Sequence, residues 1–225
     1  MEKNCLTFPK FIDSYMIVIK DNEASEYYAN YCMKSWENYG IDVKKFNAIV
    51  PKDLPNLDHI KWHPYSTQKK YINLNIQAEI TDTEKSCFYS HYMLWKMCIK
   101  KNLPILVLEH DSYLIHPENL WLDMNYGMIF YDKASTGAYV IFPWYAKIVV
   151  EYMKTTMVGC GPYAFLEKCA VENNMINMHV NQKHKKYKAA ADQVMSEKYG
   201  NTIEHYCTIN PELFDSDRFH KFIKI

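Results

Sequence analysis

Apolar and polar positions along the first fifty residues change period twice. Tyr15–Lys20 (YMIVIK) is a short apolar run rich in β-branched residues, and it predicts a buried strand ending at Asp21. From Asn22 to Tyr39 the period lengthens. Ala24, Tyr27, Tyr28, Tyr31, Cys32, Ser35 and Trp36 recur at three- and four-residue spacing, which is one face of a helix, and Gly40 is a natural stop. Val43–Val50 predicts a second strand, closed by Pro51. Strand, helix and strand within about 35 residues match the length of a βαβ unit. Such units imply an α/β fold with a mostly parallel central sheet flanked by helices.

Lys52 to Thr81 has poor periodicity and carries Pro55 and Pro64, so it reads as a long irregular connection. Thr83–Lys101 places apolar or aromatic side chains at 87, 88, 91, 92, 94, 95, 98 and 99, a well-buried helix that Thr83 or Thr81 would cap. Ile105–Leu108 (ILVL) is the most strand-like run in the chain, and Glu109–His110–Asp111 follows at once. Asn125–Tyr131 and Gly137–Phe142 predict two further strands, with helices over Trp144–Met157 and Tyr163–Glu172. The tail, Ile203–Ile225, reads as irregular with at most short elements. No internal repeat interrupts this order, and a single domain over residues 1–225 is expected.

Composition narrows the class. Hydrophobic residues make up 48% and charged residues 23%, enough apolar content for a sizeable core. Lys plus Arg equals Asp plus Glu at 26 each, so there is no global basic footprint for nucleic acid. Glycine is scarce at 6 residues, and no G-x-x-x-x-G-K-[ST] occurs, which sets aside P-loop chemistry. Gly159 to Ala164 formally fits G-x-G-x-x-A, but it follows a helix, contains Pro162 and has Asn181 where an acid is expected. Seven cysteines without a C-x-x-C pair argue against a zinc ribbon and against a disulfide framework. With no signal-peptide pattern and no long apolar run, a cytoplasmic protein is expected, in a host cytoplasm if the AT-rich-looking composition reflects a viral source.

The chemistry concentrates where the strongest strand ends. A buried strand running into Glu109 and Asp111 sets two carboxylates at its carboxyl end, the edge where open α/β sheets bind ligands. Hard oxygen ligands at that spacing suit Mg²⁺ or Mn²⁺ bridging the phosphates of a nucleotide-sugar. The same pattern also describes an ordinary strand end with solvated acids. Ser90 and His91 sit on the preceding helix, as satisfied core residues or as groups facing the crevice. His179 could complete a metal shell, and Lys183, His184, Lys185, Lys186 and Lys188 read either as a solvated face or as a phosphate contact.

Glu84-x-x-Cys87-x-x-Ser90-His91-x-x-Leu94-Trp95, followed by Leu103-Pro104-Ile105-Leu106-Val107-Leu108-Glu109-His110-Asp111, resembles glycosyltransferase family 25, the lipopolysaccharide-biosynthesis type. Phe46–Ile49 and Thr136–Ile141 are similar to flanking blocks of that family. The resemblance implies a GT-A fold, a nucleotide-sugar donor (UDP-sugar favoured) and a metal at a D-x-D-like motif. It assigns Glu109 and Asp111 to that motif, with His110 replacing the middle acid, and Ser90, His91 and Glu109 to the donor pocket. Tyr163 falls where the family has an aspartate, so Glu167 and Asp132 are the substitute candidates for a catalytic carboxylate. The expected acceptor is a glycan or lipopolysaccharide sugar, with a viral hydroxymethylated DNA base as rival. A nucleotide-sugar-binding protein without turnover is the alternative, and a metal-dependent nuclease or phosphatase ranks last because no second acidic cluster is evident.

Overall fold

In the computed structural model, residues 6–7, 12–66, 77–114, 120–131, 136–159, 161–175, 177–179 and 205–207 are described. The strands are β1 (Leu6–Thr7), β2 (Asp13–Val18), β3 (Val43–Asn47), β4 (Ile105–Glu109), β5 (Ser112–Leu114), β6 (Trp121–Leu122), β7 (Met128–Phe130), β8 (Ala138–Ile141), β9 (Met178–His179) and β10 (His205–Cys207). The helices are α1 (Glu23–Glu37), α2 (Asp82–Lys101), α3 (Pro143–Thr155) and α4 (Pro162–Glu172), with a 3₁₀ turn at Pro51–Asp53.

Six strands form the central sheet in the order β3-β2-β4-β8-β7-β9. β2 pairs in parallel with both β3 and β4, as the βαβ reading required. β8 runs against β4 and β7, and β7 is parallel to β9. The sheet is therefore mixed, with β8 as the single reversed strand among its six. Two short pairings lie outside it, β1 with β6 and β5 with β10. In the second, Ser112–Leu114 is joined in parallel by His205–Cys207, a three-residue strand of the kind the tail was expected to hold at most.

Alternate residues of β4 feed two cores. Leu106 and Leu108 pack with Trp36, Cys32 and Met16 beneath α1, whereas Ile105 and Val107 pack with Trp95, Phe88 and Tyr145 beneath α2 and α3. At Gly127 the backbone needs the missing side chain, because a Cβ there would lie 2.3 Å from the Tyr145 ring. α2 is defined at both ends. Thr81 and Glu84 form a reciprocal capping box, and Asn102 ends the helix in the left-handed conformation at φ 53°. Of the two proposed caps, Thr81 is the one used.

Asp13, at the start of β2, takes Lys101 Nζ at 2.6 Å and Lys44 Nζ at 3.1 Å, tying α2 and β3 to the amino-terminal edge of the sheet. The Lys101 hydrogen bond is the main reason its carboxyl sits below the ordinary value; burial opposes the shift and Lys44 adds to it. An acid held low in the fold contributes stability above its unfolded pKa and loses it as pH falls through the folded one. Asp13→Asn is expected to be less stable than wild type at pH 7 in urea denaturation, with the gap closing below about pH 4. Thr81→Ala should lower stability by about 1 kcal/mol in the same assay, because it removes the α2 cap.

Candidate active site

The polar chemistry begins where β4 leaves the core. Glu109 continues the side-chain alternation of Ile105 and Val107 and so projects toward α2. Its backbone N–H donates to Gly137 O at 2.8 Å. Its Oε1 accepts from Thr136 Oγ1 at 2.7 Å and lies 3.5 Å from His91 Nε2. The Glu109 side chain keeps 24% exposure while His91 has 1%, so the carboxylate is the member of the pair that reaches solvent.

Behind Glu109 runs a buried polar chain. Trp95 Nε1 donates to Tyr139 Oη at 2.9 Å, and Tyr139 Oη lies 2.9 Å from His91 Nδ1. An indole N–H only donates, so the tyrosine oxygen accepts there and its own proton is available to Nδ1. Neutral His91 then carries its proton on Nε2, and a protonated ring carries one there as well. Either way Nε2, 3.5 Å from Glu109 Oε1, carries an N–H, a tautomer that follows from the network. Burial pushes the Tyr139 phenol well above its ordinary value, with the Glu109 charge acting in the same direction. It stays an un-ionised donor. His91 and Trp95 are one helical turn apart, which is why both reach one hydroxyl.

After Glu109 the chain turns toward the other layer. His110 meets Tyr28 edge-on with centroids 6.1 Å apart. Asp111 is buried, and its charge adds to burial in raising the Cys32 thiol. The turn is locked down by Trp36 Nε1 donating to Ser112 O at 2.9 Å, by Leu114 N donating to Ser35 Oγ at 2.9 Å, and by a short bond from Ser112 Oγ to Gly137 O. Glu109 thus leans to α2 while Asp111 sits on the α1 side of the same turn. Among the described residues no three or more His, Cys, Asp or Glu side chains are grouped to hold a metal ion. Mg²⁺ and Mn²⁺ are commonly held by one or two carboxylates plus substrate phosphates. A buried acid and a half-exposed one at a strand end fit that mode, and they do not fit an all-protein cage.

The remaining candidates divide. Ser90 is 1% exposed, and its hydroxyl donates to Ser86 O at 2.9 Å while accepting from Ile49 N at 2.9 Å. It clamps the segment after β3 onto α2. Glu167 on α4 accepts from Asn177 Nδ2 at 2.8 Å. Tyr163 packs on Phe130, and its phenol is pushed up to about 12, chiefly by burial. The backbone of His179 pairs with Phe130 in β9, but its side chain lies outside what is described. Asp132 and the Lys183–Lys188 cluster also lie outside the described residues. Sequence reasoning missed Tyr139, Thr136 and Ser112 as parts of the site. Thr136 and Tyr139 fall in the Thr136–Ile141 block and Ser112 directly follows Asp111, but nothing local marks their hydroxyls as partners of Glu109, His91 or Gly137.

Residues 12–127 match glycosyltransferase family 25, described as LPS biosynthesis protein. The chain belongs to glycosyltransferase family 25. Among curated relatives, the lipooligosaccharide biosynthesis protein lic2B of Haemophilus influenzae is 32% identical over 83 residues, 36% of this chain and 27% of that protein. The lacto-N-neotetraose biosynthesis glycosyltransferase LgtE of Neisseria meningitidis serogroup B is 26% identical over 119 residues, 50% of this chain and 38% of that protein. The chain therefore matches well under half the length of either relative. The solved structure of a glycosyltransferase involved in the glycosylation of the major capsid of PBCV-1 covers 83% of this chain and is itself 89% covered, at 12% identity and a TM-score of 0.42.

For this family-25 chain the spacing of the quoted motif has a physical reading. Glu84 closes the α2 capping box, Ser90 clamps the Ile49 segment, Leu94 fills the core, and His91 and Trp95 converge on Tyr139. Tyr139→Phe should leave the Trp95 N–H and one His91 nitrogen buried without their partner, lowering stability by about 1–3 kcal/mol in chemical denaturation. A change near zero would show that the hydroxyl is not structural.

Proposed function

We propose that the chain is the nucleotide-sugar-binding part of a glycosyltransferase that moves a sugar from a donor, a UDP-sugar in the favoured case, to a hydroxyl of a glycan acceptor. The observation that carries this reading is Glu109. It is a carboxylate at the end of a fully buried strand, held by Thr136 and backed by the Trp95–Tyr139–His91 chain, inside the segment that matches the family. A carboxylate whose orientation is already set by its neighbours meets a ligand with little reorganisation. The names of the two bacterial relatives favour a glycan over a modified DNA base as acceptor.

Asp111 on the α1 side of the turn, with Glu109 reaching from the α2 side, is the group that would hold Mg²⁺ or Mn²⁺, and such an ion would supply Lewis-acid stabilisation of the departing diphosphate. Ser90 and His91 act on the donor pocket from behind, by fixing the Ile49 segment and Glu109. Tyr163 stands where the family aspartate is expected, and a phenol raised to about 12 does not serve as a base near neutral pH. Glu167, one turn along α4, is the carboxylate proposed for that task, with Asp132 as the other candidate. The same tyrosine favours the second reading, a protein that binds the donor without transferring it.

Release of free nucleotide from UDP-galactose, UDP-glucose, UDP-N-acetylglucosamine and GDP-mannose, each with Mn²⁺, tests the proposal. One donor should be hydrolysed slowly without acceptor, and Asp111→Asn should reduce that rate tenfold or more. Donor-induced stabilisation without any release, across an acceptor panel, would favour the binding protein. No response to any donor would remove both readings.

A further inference from the structure

A second cleft opens beside α2. It is an open groove of about 520 Å³ lined in part by Pro51, Pro55 and Trp62, with Asp58, Asp82 and Lys85 supplying the charged groups. We propose that this cleft binds the non-reacting sugar units of a neutral saccharide acceptor. The proposal rests on the glycosyltransferase reading for the word acceptor, while the binding itself is argued from the cleft alone.

Position is the first argument. Lys85 precedes His91 by six residues on one helix, about 9 Å along its axis. The opposite wall starts at the segment that Ile49 N ties to Ser90 Oγ. The cleft therefore lies toward the amino-terminal end of the helix that carries Ser90 and His91, and its far wall continues from the segment that Ser90 holds. Preorganisation is the second. Ile60 N donates to Leu57 O at 2.8 Å, and the strand-like stretch around Trp62 is bonded to Val158 on both sides, His63 N to Val158 O at 2.9 Å and Val158 N to Lys61 O at 2.8 Å. The Trp62 ring meets Phe88 edge-on at 5.7 Å. The wall is held before any ligand arrives, which lowers the ordering cost of binding.

Charge selects the ligand class. Asp58 and Asp82 against Lys85 leave the cleft net negative. Asp58 Oδ2 accepts from Asn56 Nδ2 at 2.7 Å, and Asp82 Oδ1 takes Lys85 Nζ at 2.9 Å. Each acid retains a second oxygen for donors. Carboxylates only accept, so they suit hydroxyl-rich ligands and oppose phosphodiesters and diphosphates. Proline and indole faces cover the apolar C–H faces of sugar rings. A neutral saccharide satisfies both halves of this lining, and a DNA backbone satisfies neither.

Saturation-transfer NMR of the whole chain with lactose, N-acetyllactosamine and maltotriose, without donor, reads the binding directly. At least one should bind, and Asp58→Asn and Trp62→Phe should each weaken it by threefold or more. In transfer assays the same variants should raise the acceptor KM while leaving kcat and acceptor-free donor hydrolysis unchanged. Wild type that binds none of the three sugars, variants that bind as wild type does, or a cleft that prefers duplex DNA or a phosphorylated saccharide would overturn the inference. Absent donor hydrolysis in wild type would instead count against the glycosyltransferase reading, and the NMR result would still decide the cleft.

Discussion

β4 has no exposed side, and the site is a consequence of that. It is hydrogen-bonded to β2 on one edge and to β8 on the other, and Ile105 to Leu108 are all 0% exposed. Such a strand has no polar option until it leaves the sheet, so its first carboxylate, Glu109, arrives at the boundary between core and crevice. A carboxylate there is costly unless it is hydrogen-bonded. Thr136, on the loop entering β8, supplies the hydrogen bond, and His91, on α2, lies 3.5 Å from the same oxygen, so both elements that bury the strand meet the carboxylate. The packing that hides β4 and the groups that hold Glu109 are the same elements.

This explains why one stretch of α2 serves several purposes. Ser86 and Ser90 each donate to the carbonyl four residues back, which satisfies their hydroxyls inside the helix. Ser90 has a lone pair left for Ile49 N, and that bond sets where the chain after β3 crosses the helix. The next residue, His91, and Trp95 one turn beyond it share the Tyr139 hydroxyl. A polar chain of this kind is favourable only when every member is satisfied. Its spacing along the helix is therefore constrained as tightly as that of the apolar residues around it.

Local pattern carried much of the fold. The βαβ start, the α2 span with Thr81 as cap, and the strand ending at Glu109 follow from periodicity and turn residues over short windows. What was not legible is long-range. Gly137–Phe142 reads as a strand in either direction, and nothing local says that it inserts antiparallel between β4 and β7. Ser112–Leu114 is too short to signal a strand, and its partner lies more than ninety positions further along, at His205–Cys207. Ser90 looked like a candidate ligand contact because a serine pattern does not reveal whether its hydroxyl is already engaged. Tyr139 drew no notice because its partners, Trp95 and His91, are 44 and 48 residues away.

Charge completes the argument about what the protein can accept. Lys44 and Lys101 are held by Asp13 at the amino-terminal edge of the sheet, Lys45 pairs with Glu26, and Lys85 pairs with Asp82. Glu109 and Asp111 stand at the opposite edge. Under the proposed function a donor diphosphate enters beside those carboxylates, and like charges at such range cost more as water is excluded. Glu109 and Asp111 would hold a divalent cation whose charge would offset that repulsion, whereas a polyanionic acceptor would add to it. The acidic bias of the second cleft carries the same sign further along α2. Under that proposal the acids at the strand end and in the cleft suit a donor brought with its counter-ion and an acceptor that brings hydroxyls without charge.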